Sequence, residues 1–202
     1  LQGLGRLRKL WLILSYCPAL RSVDDLGLGL LSLRELRVLT VRLSYCQALT
    51  NVDELFRGIA KLDNLRALTL DLSWCSGLRS VAGLGAALRN LPCLQELTLD
   101  LSCLEFVTSL ADIADALPHL QQVKTLTLHL RQCRNLGSTA ELEVALPIMP
   151  CLQDVTVDVS DCPVGMQGSL KALLRSMSRL QVWRVRTHEE ACIGPMAWVL
   201  EP

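Results

Sequence analysis

Leucines alternate with polar residues for a few positions, change step, and then alternate again along most of the chain. At Leu68, Leu70 and Leu72 the apolar positions are two apart, which predicts a short strand with one buried face. After Cys75 the step becomes three or four, through Leu78, Val81, Leu84, Leu88 and Leu91, and places one apolar stripe along a helix. The stripe recurs as Leu49, Val52, Leu55, Ile59 and Leu62, and as Val107, Leu110, Ile113, Leu117 and Leu120. Strand then helix, repeated, predicts an α/β fold.

The alternation has a fixed period. Leu7, Leu36, Leu65, Leu94, Val123 and Leu152 stand 29 positions apart, and each opens nearly the same phrase, LRVLTVRLSYC at 36–46 and LRALTLDLSWC at 65–75 being typical. A worn seventh copy starts at Leu180, 28 after the sixth, with the lost residue placed between Val164 and Gln167. Units of this length bury an apolar face only against their neighbours, so the spacing predicts a solenoid. Parallel strands would lie side by side at about 4.8 Å, and the wider helices outside would curve the sheet.

The helix starts are periodic too. Ser22, Asn51, Ser80, Ser109 and Ser138 share a column and are expected to act as N-caps, with Asp25, Glu54, Asp112 and Glu141 three residues later completing capping boxes. Helices of roughly ten residues fit the space, with Pro92, Pro118, Pro147 and Pro150 closing several copies. The repeat region is 1–187 and forms one domain; the non-repeating 188–202 is expected to cap the last strand, with Trp198 or Met196 folding over it. Leu1 and Leu4 stand 29 before Leu30 and Leu33, so the chain is expected to begin inside a repeat, as a piece of a longer array.

Composition narrows the class of partner. Lys plus Arg and Asp plus Glu number 20 each, so no long-range field favours nucleic acid or an anionic membrane, and neither is expected as a partner. No apolar run reaches the roughly 18 residues of a membrane span, and no basic segment followed by an apolar run opens the chain.

Five of the nine cysteines, Cys17, Cys46, Cys75, Cys133 and Cys162, fill one column, which Leu104 occupies in the fourth copy. Neighbouring strands are close enough for disulfides, but parallel in-register side chains point the same way, so reduced thiols are expected. There is no CxxC, and His119, His129 and His188 are scattered, so no metal site is expected. A contact of Cys103 with His129 is conceivable on adjacent strands, yet no base, orienting group and pocket are singled out together; an enzyme is not expected, nor a cofactor.

The phrase Leu-x-Leu-x-Leu-Ser-x-Cys, with a Leu three residues after the Cys, resembles the leucine-rich repeat family in its ribonuclease-inhibitor-like and cysteine-containing subclasses. The unit of 29 is longer than in the cysteine-containing subclass, and its strand phrase carries an additional Leu-x step. The resemblance implies a horseshoe with a parallel sheet on the concave side and helices outside, and a cysteine whose thiol lies in the turn near backbone groups. It also implies a protein-binding scaffold; the odd number of cysteines and the absence of a small disulfide framework favour an intracellular, cytoplasmic setting. A second implied role is the substrate-recognition arm of a ubiquitin ligase whose F-box is not in these residues.

On such an arc the strand residues that alternate with buried leucines would face a partner. One column holds Thr40, Thr69 and Thr98, which β-propensity alone also explains; the next holds Arg42, Asp71, Asp100, His129 and Asp158, which a solvated face explains nearly as well. Tyr16, Tyr45 and Trp74 would stack along a rim, either as interface anchors or as a shield for the turn below. The acidic centre favours a protein or peptide partner carrying Lys or Arg.

Overall fold

The computed structural model describes residues 4–163, 167–186 and 191–193. Seven strands alternate with helices: β1 Lys9–Ile13, β2 Val38–Arg42, β3 Ala67–Asp71, β4 Glu96–Asp100, β5 Thr125–His129, β6 Asp154–Asp158 and β7 Val182–Arg186. They form one sheet in sequence order, each parallel to the next. The strands are five residues long because only five residues of each phrase alternate before the Ser-x-Cys turn. From β1 to β6 each residue pairs with the one 29 positions on, as Thr69 does with Thr98; Asp154 pairs with Val182, so β7 keeps its place although its unit is one residue short. That shortening falls on residues 164–166, outside the described residues.

An eighth strand, β8 Ala191–Ile193, pairs antiparallel with β7. It hydrogen-bonds to an edge that β7 would otherwise present. Trp198 and Met196, expected to cover this end, lie outside the described residues.

The intervening helices are α1 Asp24–Leu30, α2 Asp53–Ile59, α3 Gly83–Arg89, α4 Ala111–Ala114, α5 Ala140–Ala145 and α6 Gln167–Ser176. Most fall short of the expected ten residues. Pro118 and Pro147 are the cause in α4 and α5: each lies in the first turn of a short 3-10 segment, Leu117–His119 and Leu146–Ile148, that ends the unit. Proline lacks the amide that an α-helix interior needs, so the chain tightens at that point. The prolines thus sit inside the last turn and do not merely follow it.

At the helix starts Ser22, Asn51, Ser80, Ser109 and Ser138 each accept a hydrogen bond from the amide two residues on, at 2.6–3.0 Å. They stand one residue before the N-caps Val23, Val52, Leu110 and Thr139, and two before Ala82, so they form turns leading into the helices and are not the expected N-caps, whose own side chains make no capping bond. The capping-box half is otherwise used: Glu54 pairs with Arg57 at 2.5 Å, and Glu141 accepts from the Ser109 hydroxyl of the preceding unit at 3.0 Å.

One hydrophobic core runs through all the units. Leu39, Leu68, Leu97 and Leu126 form a single buried column, and Leu55, Ile59, Leu84 and Leu88 meet them from the helices. Stacking identical aliphatics fills the space without aromatic wedges; Phe56 is the largest fully buried side chain. Between α1 and α2 the backbones touch: a Cβ on Gly58 would run into the Gly27 carbonyl, and one on Gly27 into that of Glu54. Among the described residues no helix is long and apolar enough to cross a membrane.

Candidate functional site

The strand residues that alternate with the core leucines form the sheet face away from the helices. Thr40, Thr69 and Thr98 lie side by side on β2, β3 and β4; Thr40 is buried, and the other two are half-buried. In the next column Arg42 is exposed, Asp71, Asp100 and His129 are half-buried, and Asp158 is buried. Register sets Arg42 beside Asp71, Asp71 beside Asp100, Asp100 beside His129, His129 beside Asp158, and Asp158 beside Arg186. The acidic centre is therefore bracketed by an arginine at each end. On β1 the corresponding positions are apolar, and Trp11 and Ile13 stand 58% and 64% exposed.

The three aspartates also have a local task. Asp71 Oδ1 accepts from the Ser73 amide at 3.0 Å and the Ser73 hydroxyl at 2.6 Å, and Asp158 holds Ser160 by the same pair of bonds at the same distances. Asp100 accepts from the Ser102 amide at 3.0 Å, leaving the Ser102 hydroxyl oxygen to accept from the Arg131 amide at 3.1 Å. These bonds turn the chain out of the strand, as short acidic side chains do at turns. One carboxylate thus shapes the turn and faces outward at once.

That turn leads into a column with an unusual backbone. Tyr16, Tyr45, Trp74, Cys103, Gln132 and Asp161 all have φ between 56° and 62°, the left-handed region that side chains other than glycine rarely adopt. The first five are pinned there by their amides, which donate to a carbonyl of the next unit, as Tyr45 does to Ser73 and Trp74 to Ser102 at 3.0 Å. The conformation throws the side chains to one rim. Tyr16 and Tyr45 stack at 4.7 Å between ring centres with planes 9° apart, and Tyr45 and Trp74 at 5.2 Å with 7°. In later units the column continues as hydrogen bonds: the Cys103 thiol donates to Gln132 Oε1 at 3.3 Å, and Gln132 Nε2 to Asp161 Oδ2 at 3.4 Å. Arg131 joins Asp161 at 3.4 Å.

One residue further, the cysteine column repeats a different bond. Cys46 donates to the Leu14 carbonyl at 3.2 Å, Cys75 to Leu43 at 3.0 Å, Cys133 to Leu101 at 3.3 Å and Cys162 to Leu130 at 2.9 Å. Each thiol reaches back 32 positions to the end of the preceding strand; Cys17 turns to the Ser15 carbonyl of its own unit at 3.8 Å and is exposed. All eight cysteines among the described residues with described side chains are free thiols. Burial pushes the Cys75 thiol up to about 11 and Cys46 up as well. The neighbouring Cys162 thiol, then burial, holds Cys133 well above the usual range. Burial, and after it the Asp100 carboxylate, raises Cys103, whose partner is Gln132 and not His129. The conceivable Cys103–His129 couple is therefore replaced by a thiol–amide contact.

A cleft of about 370 Å³ opens where the rim changes from rings to amides, lined by Trp74, Cys103, Phe106, Gln132, Arg79 and Arg134 together with Glu105 and others. Sequence reasoning on columns missed Phe106, Arg79 and Arg134, which belong to the turns after the rim. Their offsets of three, five and two from the nearest rim residue were the available signal. No cluster of His, Cys, Asp and Glu able to hold a metal occurs among the described residues.

Compared with known proteins, the chain matches no family model, and no curated protein matches it significantly.

Proposed function

We propose that the chain is a leucine-rich repeat arc that binds a protein or peptide on the concave face of its sheet, with Tyr16, Tyr45 and Trp74 as a flanking rim. One observation carries this reading. The lattice repeats residue by residue from β1 to β6, yet the column holding Arg42, Asp71, Asp100, His129 and Asp158 varies, and it varies in charge. Turn-forming alone accounts for an aspartate there and leaves Arg42 and His129 without a local reason. A partner offering Lys or Arg opposite β3 to β6 would complement the acidic centre, and the association would slow as salt rises. The resemblance of the repeat phrase supports the arc, and the free thiols support a reducing setting.

The test is affinity capture from a native extract with the parent chain beside Asp71→Asn with Asp100→Asn and Asp158→Asn. Asparagine keeps the oxygen that the Ser73, Ser102 and Ser160 amides need and removes three charges. A partner held by the parent and weakened about tenfold or more in the variant supports the concave site. Equal capture by both sinks it.

A further inference from the structure

The rim column is interrupted at one place. Trp74 gives one face to Tyr45, at 5.2 Å and 7°, and its other side looks toward the fourth unit, where the position of a ring is held by Cys103. A thiol is far smaller than an aromatic ring, and this one is turned to Gln132. Trp74 is accordingly 43% exposed, and the cleft of about 370 Å³ lies at that step. Its volume is at the lower end of what ligand-sized pockets offer, enough for one aromatic side chain and its neighbours.

Charge selects what comes with the ring. Arg79 and Arg134 line the cleft, both exposed, and neither is in an ion pair among the described residues. Glu105 lines it too, so two guanidiniums against one carboxylate leave one net positive charge. That balance matches a single carboxylate; a polyphosphate would meet Glu105 as well, with only one cation in excess to offset its several charges.

We propose that this cleft receives an aromatic side chain of a partner polypeptide, stacked on the free face of Trp74, with an acidic residue adjacent in the partner's sequence held by Arg79 and Arg134. The inserted ring takes the place that a fourth aromatic would occupy had the column continued. The proposal rests on the reading that the chain binds a polypeptide, but not on the acidic column of the sheet.

The chain suggests its own blocking variant. Tyr16 and Tyr45 hold the left-handed conformation at φ 60° and 62°, and Cys103 has φ 61°, so Cys103→Tyr fits the same backbone and fills the gap. The probe is the blocked peptide acetyl-Gly-Asp-Phe-Gly-amide, followed through the indole signals of the protein labelled with nitrogen-15 at tryptophan, with Trp74 assigned by Trp74→Phe. Saturable movement of the Trp74 signal is expected, weaker by about 3- to 10-fold when Leu replaces Phe in the peptide. Asn in place of Asp should weaken binding by about 2- to 5-fold, as should Arg79→Gln with Arg134→Gln. Cys103→Tyr should abolish the shift while leaving the melting temperature unchanged.

Undiminished binding to a folded Cys103→Tyr protein, equal binding of the Leu peptide, or no movement of Trp74 at saturating peptide overturns the proposal. Adenosine monophosphate moving Trp74 at lower concentration than the peptide overturns the polypeptide assignment. Peptide binding not weakened by the three Asp→Asn changes is expected, because none of the three lines the cleft and losing the Asp100 charge near Cys103 favours an acidic peptide. A natural partner lost by the Asn variant but kept by Cys103→Tyr would remove the cleft and leave the concave-face reading standing.

Discussion

Asp71 is the residue at which turn and surface can be separated by experiment. Asp71→Ala removes the acceptor for the Ser73 amide and hydroxyl, at 3.0 and 2.6 Å, while Ser73 itself is only 7% exposed. Two such bonds to a half-exposed carboxylate are together worth about 2 kcal/mol. Against this stands Asp100, its register partner on the next strand, whose like charge at a strand spacing of roughly 4.8 Å costs about 1 kcal/mol in a watery environment; Arg42, its partner on the other side, is exposed and makes no ion pair with it, so that attraction is the lesser. Asp71→Ala should therefore lose about 1 kcal/mol in low salt. In about 1 M salt, where the screening length is about 3 Å, the repulsion it relieves has largely gone and the loss should approach 2 kcal/mol. Asp71→Asn keeps the acceptor and sheds the charge, so it should gain up to about 1 kcal/mol in low salt, less the small attraction to Arg42 that it also gives up, and be near neutral in high salt. Thermal unfolding reads this directly, since 1 kcal/mol moves the midpoint by about 2–4 °C in a chain of this size. If Asn falls as far as Ala, or if added salt leaves the Ala–parent gap unchanged, the division into turn and repulsion is wrong, and the Asn triple variant would not isolate charge.

Three other outcomes follow from the packing. The Cys75 thiol is raised in the folded chain, so the folded state resists losing that proton; its stabilising contribution is full below the ordinary thiol value and is lost as pH rises from about 9 to about 11. Urea unfolding across that range should show a fall in stability that Cys75→Ala flattens. Gly58→Ala should push α2 from α1, because the new methyl meets the Gly27 carbonyl; a loss of about 1–3 kcal/mol is expected in thermal unfolding. Alkylation of the native protein near neutral pH should label the exposed Cys17 and Cys151 long before the buried Cys46, Cys75 and Cys133, and equal rates would contradict the buried thiol column.

Much of the strand layer was legible because the two-residue step and the period of 29 act together: Leu68, Leu97 and Leu126 had to share a face once the phrases were aligned. The serine column before each helix was legible for the same reason, but not that it stands ahead of the N-caps and not at them. Helix length was not, since the apolar stripe runs on through Leu117 and Leu146 into 3-10 turns, and a tighter turn preserves nearly the same stripe. The left-handed rim gave no signal: glycine, which marks that conformation, is absent from the column, and Tyr, Trp, Cys and Gln carry no such preference. Nor does alternation reveal that Asp71 and Asp158 bend back to hold a serine; only the second partner of the carboxylate, seen in three dimensions, shows it.

Identical register gives this chain two independent addresses for every residue, unit number and column. Removing residues 67–95 would join Arg66 to Glu96 and bring Thr40 beside Thr98 and Tyr45 beside Cys103, with every strand still offered its usual neighbour. The stack of rings would be shortened by one while the core columns stayed filled. Length of the array, width of the aromatic patch and position of the charged stretch can each drift by whole-unit duplication or loss, with no compensating change elsewhere, so the surface can be rewritten far faster than the lattice that displays it.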